Sequence, residues 1–325
     1  MKVKRVLDIV SVLIGTIVGA GFATGNEIYQ FFARYGYFGY ALVGVFFFGM
    51  FAFTYKIMHL AHKYNAYTID ELSKKVFGDK FAFIVNMVIY LAFFVFASVM
   101  MSAMSNIAEI YGVAIMIVLG FLLCIKDKQG ILIANQIIIP LIFVFLIIIF
   151  INGYSFIPTC KFTPLNFLGI FGVFYYIALN ELISLGALLV VLHKSTKKEL
   201  LISALLAGFL ISVMIVIIIA ILNNYTFDEI HMPLKDVANL ISVDFAKFTN
   251  LILFCTIFTT FLSSIFGIYK KIKTSTKKPI LTFIFVLLLC YILSFVGFTN
   301  LVQYAYNIIG FVSLAVVLCF LLVKK

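Results

Sequence analysis

The sequence predicts an all-α integral membrane protein, with ten transmembrane helices in two five-helix halves of opposite orientation. Three observations lead there. Of 325 residues, 64% are apolar and 11% charged, with a mean hydropathy of +1.19. A soluble domain is about half apolar and a quarter charged, because its outside must carry polar groups. The apolar residues fall into runs of about 20, the length of helix that crosses ~30 Å of hydrocarbon. With the N-terminus inside, all of the 24 lysines and arginines except Arg34, Lys161, Lys235 and Lys247 fall on the inner side, as the positive-inside rule requires. This composition excludes a soluble enzyme, a nucleic-acid binder and a disordered chain, and the net charge of +11 reports topology.

The segment Met1-Lys2-Val3-Lys4-Arg5 precedes an apolar run that continues to Ala33, so it reads as the start of a span and not as a cleaved leader. The ten spans lie at about 6–34, 38–60, 81–108, 112–125, 131–153, 165–193, 200–222, 247–269, 279–297 and 301–323. Between the second and third, Thr68 to Phe77 reads as a short amphipathic interfacial helix, with Thr68 as cap and Glu71 completing a capping box. The longest outer segment, Asn223 to Ala246, is expected to fold partly as a helix on the outer face. Short loops and the absence of a linker lead one to expect a single membrane domain over residues 1–325, with 1–153 as the first repeat and 164–325 as the second. Both termini are expected to be cytoplasmic, in a multi-pass cell membrane protein.

Five cysteines, Cys124, Cys160, Cys255, Cys290 and Cys319, are far apart. Only Cys160 falls outside, so no external disulfide is expected, and no CxxC or HxxxH spacing suggests a metal site. His59, His62 and His193, near cytoplasmic lysines, read as solvated. Asn86, Tyr90, Tyr304 and Asn307 read as interfacial or packing residues, with a cavity-facing role as the alternative. Pro140 reads as a kink.

Spans one and six are overlong. Val6 to Ala33 and Leu165 to Leu192 would each make ~42 Å of unbroken helix against ~30 Å of hydrocarbon. Gly15, Gly19, Gly21 and Gly25 crowd the first. Two readings fit them: a break in mid-membrane, since glycine costs ~1 kcal/mol in a helix interior, or close helix packing through small residues. The polar content favours the break. Asn26-Glu27 follows the glycines, and Asn180-Glu181 sits at the middle of span six. A carboxylate inside a span normally faces a cavity or a partner, although Glu27 is near enough to the outer interface for solvation to be its alternative. Five spans per half make the repeat inverted, an architecture in which the substrate binds at discontinuous helices. Helices 1 and 6 are therefore both expected to be discontinuous.

The run Gly15-Thr16-Ile17-Val18-Gly19-Ala20-Gly21-Phe22-Ala23-Thr24-Gly25-Asn26-Glu27 closely resembles the opening of YkvI-type bacterial membrane proteins. More distantly it is similar to the amino acid–polyamine–organocation (APC) superfamily, whose members share the LeuT fold. In span six, Phe174-Tyr175-Tyr176-Ile177-Ala178-Leu179-Asn180-Glu181 looks like the pattern at that superfamily's second break. The resemblance implies a solute site formed by Gly19, Ala20, Gly21, Ala23, Thr24, Gly25, Asn26, Tyr176, Ala178 and Asn180, with the amides around Gly19, Gly21 and Ala23 binding a carboxylate. Glu27 or Glu181 would be a coupling proton site or a ligand for a substrate amine. In span eight, Thr256, Thr259, Thr260, Ser263 and Ser264 share one helix face. The resemblance makes Thr259 and Thr260, then Ser263 and Ser264, candidate Na⁺ ligands; ordinary hydroxyl-to-backbone bonding is the other reading. Span six departs from the pattern: it has no glycine between Gly172 and Gly186, and Leu179 stands where relatives often have one, so either the second break is missing or it lies nearer Gly169-Ile170-Phe171-Gly172.

The expectation is a secondary transporter, a symporter of a small solute, foremost an amino acid, working by alternating access with H⁺ or Na⁺ as coupling ion. The alternative is an amino-acid-binding nutrient sensor on the same fold. No enzymatic activity and no cofactor are expected: two carboxylates are present, but without a nucleophile arrangement, and there is no Walker motif for ATP. The expected partners are the lipid bilayer and a small-molecule substrate, without nucleic acid.

Overall fold

The computed structural model describes residues 2–153, 163–225, 232–301 and 307–323. Cys160, Lys161, Tyr304, Lys324 and Lys325 lie outside the described residues, as does the side chain of Asn307. Helix occupies each stretch expected to cross the bilayer, and no strand occurs among the described residues. The helices are α1 (Val3–Ile17), α2 (Ala20–Ala23), α3 (Asn26–Phe31), α4 (Tyr37–Tyr64), α5 (Ile69–Ile125), α6 (Lys128–Gly153), α7 (Phe167–Val191), α8 (Lys197–Leu222), α9 (Pro233–Ile241), α10 (Val243–Ser275), α11 (Pro279–Ser294), α12 (Phe298–Asn300) and α13 (Asn307–Leu322). Among the described residues, α4, α5, α6, α7, α8 and α10 are long and apolar enough to cross a membrane, and α11 and α13 are shorter apolar helices. Large apolar side chains such as Phe83, Met87, Ile137, Ile151, Phe285 and Ile292 stand exposed on α5, α6 and α11. In water such surfaces would drive association; in a multi-pass membrane protein they face lipid.

α5 is three helical pieces in one. Gly78 (φ 76°) separates the interfacial segment, and Ala108 with Glu109 (φ 50°) turns the chain between the third and fourth spans. The interfacial segment forms as expected, with the Thr68 hydroxyl accepting from the Glu71 amide (3.2 Å). Glu71 reaches back one residue further than a capping box requires, to the Tyr67 amide (3.0 Å). A complete box opens α8, where Thr196 and Glu199 cap each other reciprocally. The same Glu199 accepts from the Lys2 amide (2.7 Å) and pairs with Arg5 (3.5 Å), pinning the chain's start to α8. Replacing Thr196 with Ala should cost ~1 kcal/mol, read as a fall of a few degrees in the unfolding midpoint of the detergent-solubilised protein.

The packing separates into two groups. α1 and α4 each pack on both α7 and α8, and α5, α10 and α11 pack on one another, while α6 touches α1, α5, α8 and α10. The faces of α1, α7 and α10 meet between the groups.

The first span is divided and the sixth is not. α7 runs unbroken from Phe167 to Val191, against the expectation of a discontinuous helix 6. No glycine lies between Gly172 and Gly186, so nothing lowers the cost of leaving the helix there. Asn166 caps the N-terminus by accepting from the Gly169 amide (2.9 Å), which removes the expected break near Gly169–Gly172 as well. The side chains of Asn180 and Ser184 bond back to the Tyr176 and Glu181 carbonyls (both 2.8 Å), within the helix itself. His59 and His62, expected to be solvated, are half-buried on α4, whereas His193 is exposed. α6 continues through Pro140.

Candidate functional site

The break begins where β-branched residues run into glycine. α1 ends at Ile17; Val18 leaves the helix (φ −79°, ψ 75°) with its amide still bonded to the Ile14 carbonyl. Gly19 is extended (φ −97°, ψ −161°), and α2 is a single turn. Gly25 then takes a left-handed conformation (φ 81°) that starts α3, a region glycine enters without the Cβ penalty. Ala20, Gly21, Ala23 and Thr24 are all buried.

Two of the amides expected to bind a carboxylate are already engaged. That of Gly19 donates to the Ile17 carbonyl and that of Ala23 to the Gly19 carbonyl (both 2.9 Å). The break thus keeps a turn of local bonding at those two positions. Gly21 serves differently. A Cβ there would collide with the Glu27 carboxyl, so Glu27 folds back over the break with its carboxyl beside the Tyr176 side chain. Tyr176 is buried and stacked on Phe31 (4.9 Å between centroids), with Phe32 and Phe46 each at 5.9 Å. The aromatic groups wall the C-terminal side of the break. Asn26, by contrast, is half-buried and accepts from the exposed Gln30 (2.7 Å), and Asn180 bonds within α7. Ala178 is buried in the core of α7.

Glu181 is 0% exposed. The Thr54 hydroxyl of α4 donates to its Oε1, while Oε2 has no hydrogen-bond partner among the described residues. A buried carboxyl with one free oxygen is a costly arrangement in an apolar interior, and such a group is a natural place for a proton or a ligand amine.

Span eight meets span one at the N-terminal edge of the break. The Thr260 hydroxyl donates to the Thr16 carbonyl (3.2 Å), and the hydroxyls of Ser263 and Thr16 lie 3.0 Å apart. A Cβ on Gly19 would sit 2.6 Å from the Thr260 hydroxyl. Thr259 and Ser264 turn their hydroxyls back to the Thr256 carbonyl (2.9 Å) and the Thr260 carbonyl (3.0 Å) of their own helix. The pair facing span one is therefore Thr260 with Ser263, because a three-residue step keeps a side chain on the same helix face and a one-residue step does not. Carbonyl and hydroxyl oxygens are the ligand set of hard cations.

Two residues not singled out from the sequence belong here. Thr54 contacts Glu181 from α4. Asn135 of α6 is 1% exposed, packs its amide where a Cβ of Gly15 would stand, and has no partner at either amide atom among the described residues. Its signal was available: Asn135-Gln136 is a polar pair inside an otherwise apolar run, and Gln136 does find Asp8 of α1 (2.9 Å).

α9 closes the C-terminal end of the break. The Leu234 amide donates to the Thr24 carbonyl (2.9 Å), and a Cβ on Gly25 would meet the Leu234 side chain at 2.9 Å. Leu234, Val237 and Ala238 are all buried. The segment 223–246 does contain a helix, as expected, and that helix is seated on the broken span.

The chain is similar over nearly its whole length to two proteins of Bacillus subtilis (strain 168). It is 27% identical over 323 residues to the uncharacterized membrane protein YkvI, covering 94% of this chain and 92% of the relative. It is 24% identical over 341 residues to the uncharacterized protein YyaD, covering 95% and 94%. No family model matches the chain. The full-length likeness to YkvI supports a YkvI-type membrane protein family.

Proposed function

We propose that this multi-pass membrane protein is a secondary transporter that moves a small solute, foremost an amino acid, by alternating access coupled to H⁺ or Na⁺. The observation that carries the reading is the interruption of the first span at 18–25, with the buried Glu181 on the neighbouring α7. Such an interruption exposes backbone polar groups inside the membrane, which is tolerated where they line a cavity or a ligand site. Glu181 with Thr54 supplies a proton site or an acceptor for a substrate amine. The Thr16 carbonyl with the Thr260 and Ser263 hydroxyls supplies oxygens for Na⁺.

The division of the helices into two packed groups that meet around α1, α7 and α10 supports rocking of one group against the other, the usual basis of alternating access. The inverted-repeat, LeuT-like arrangement belongs to the same proposal, with the difference that only the first of its two expected breaks is present. The lysine-rich face is cytoplasmic in this reading, which makes α9 an outer closure.

The test is thermal unfolding of the detergent-purified protein with each common L-amino acid, with and without Na⁺, at several pH values. A ligand that binds only the folded state at 100 times its Kd adds ~2.7 kcal/mol of stability. A rise of several degrees for one group of amino acids, dependent on Na⁺ or pH, is expected. A flat response to the entire set would contradict the reading.

A further inference from the structure

A concave site lies towards the lysine-rich face, apart from the break. It is a cavity of about 210 Å³ between the start of α5, the end of α7 and the end of α10, with Asp70, Lys271, Tyr67 and Tyr90 around it and Gly186 and Gly267 at its floor. Asp70 is its hub: its carboxylate takes Lys271 (2.8 Å), the Asn86 amide (2.8 Å) and the Tyr90 hydroxyl (3.2 Å). The neighbouring Lys270 is drawn away to Asp127 (2.6 Å). Glu71, which also lines the cavity, is turned to the Tyr67 amide (3.0 Å), which leaves the Asp70 carboxylate and the Lys271 ammonium, each partly exposed, as the ion pair that faces the cavity.

At the floor, α7 and α10 touch backbone to backbone: a Cβ on either glycine would lie 3.1 Å from the other's Cα, and the Phe93 ring packs over the crossing. Glu181 lies five residues before Gly186 on α7, and Ser263 four residues before Gly267 on α10. The cavity is therefore about 6–8 Å along the helix axes from the buried groups, on the side of the lysine-rich face.

We infer that this cavity is a separate binding site for a small zwitterion. The solute's ammonium replaces Lys271 on Asp70, and the solute's carboxylate takes the released Lys271, so that the exchange leaves no charge unpaired. A lone anion or cation would break the pair and leave one partner uncompensated. The volume is below the ~300–1,000 Å³ of drug-sized ligand sites, which restricts the occupant to a solute of few heavy atoms. Tyr67 and Tyr90 provide amphipathic walls for its stem. The choice of an amino acid as the zwitterion rests on the transport proposal; the location and charge pattern do not.

The experiment is equilibrium dialysis of the full-length purified protein against a uniformly ¹⁴C-labelled L-amino acid mixture. The wild type is expected to hold two labelled molecules per chain. Lys271→Met should hold one. So should Thr274→Trp, which fills the exposed mouth while leaving every ion pair intact and serves if the first variant folds poorly. Glu181→Gln should also hold one, the other one. Potassium acetate at matching concentration should leave the label in place. Two molecules retained by both Lys271→Met and Thr274→Trp, with one in Glu181→Gln, would overturn this inference and leave the central site standing. Displacement by acetate would overturn the zwitterion as occupant. A wild type that holds no label would overturn both this inference and the transport proposal.

Discussion

Glu181→Gln is expected to abolish pH-dependent uptake in proteoliposomes while leaving the protein folded. The glutamine amide oxygen still accepts from Thr54, and the side chain keeps its volume at a position that is 0% exposed. Burial of a neutral amide replaces burial of a group that must otherwise be protonated or matched by a cation. The unfolding midpoint should therefore stay level or rise slightly, within ~2 °C of the wild type, since about 1 kcal/mol moves it by a few degrees in a chain this large. What disappears is the ability to gain and lose a proton between α4 and α7. Uptake that keeps its full pH dependence in this variant would remove Glu181 as the proton site and leave coupling to the Thr16, Thr260 and Ser263 oxygens.

Gly25→Val should be the most destabilising single change at the break. The residue is left-handed at φ 81°, where a Cβ costs ~1–2 kcal/mol. The added side chain also enters the Leu234 side chain at 2.9 Å, and overpacking costs a further ~1–3 kcal/mol. Gly78→Val separates the two contributions, because Gly78 has a similar φ of 76° and nothing lies within 4 Å of where its Cβ would stand. A larger loss of stability for Gly25→Val, together with protease sensitivity of the α9 segment, is the expected outcome. Equal losses in the two variants would mean that α9 does not rest on the break.

The parts of the fold visible in the sequence are those set by local chemistry. The glycines from Gly15 to Gly25 lower the cost of leaving the helix regardless of what surrounds them, so the interruption of span one was readable, and likewise the Thr68 cap and the helix within 223–246. The unbroken α7 was signalled by its missing glycine, against the two breaks that the overlong spans and the inverted repeat led one to expect. The absence of a low-cost exit from the helix is what decides it. Other features depend on partners remote in sequence. Thr54 stands 127 positions from Glu181, and Asn135 meets Gly15 across two helices. Thr260 with Ser263, not with Thr259, faces span one because of a helix phase that only packing defines. The direction of Glu27 follows from the left-handed turn at Gly25, which reverses the side chain over Gly21; a continuous helix would have sent it outward.

A solute held at the break must also be carried across the membrane if the protein is a transporter, and counterflow separates carriage from binding. Proteoliposomes loaded with an unlabelled L-amino acid that raises the unfolding midpoint are placed in a trace of the same labelled compound. Transient accumulation of label inside the vesicles is predicted, absent in Gly25→Val and in empty liposomes. Saturable binding of that amino acid without any exchange would contradict transport and make the protein a sensor.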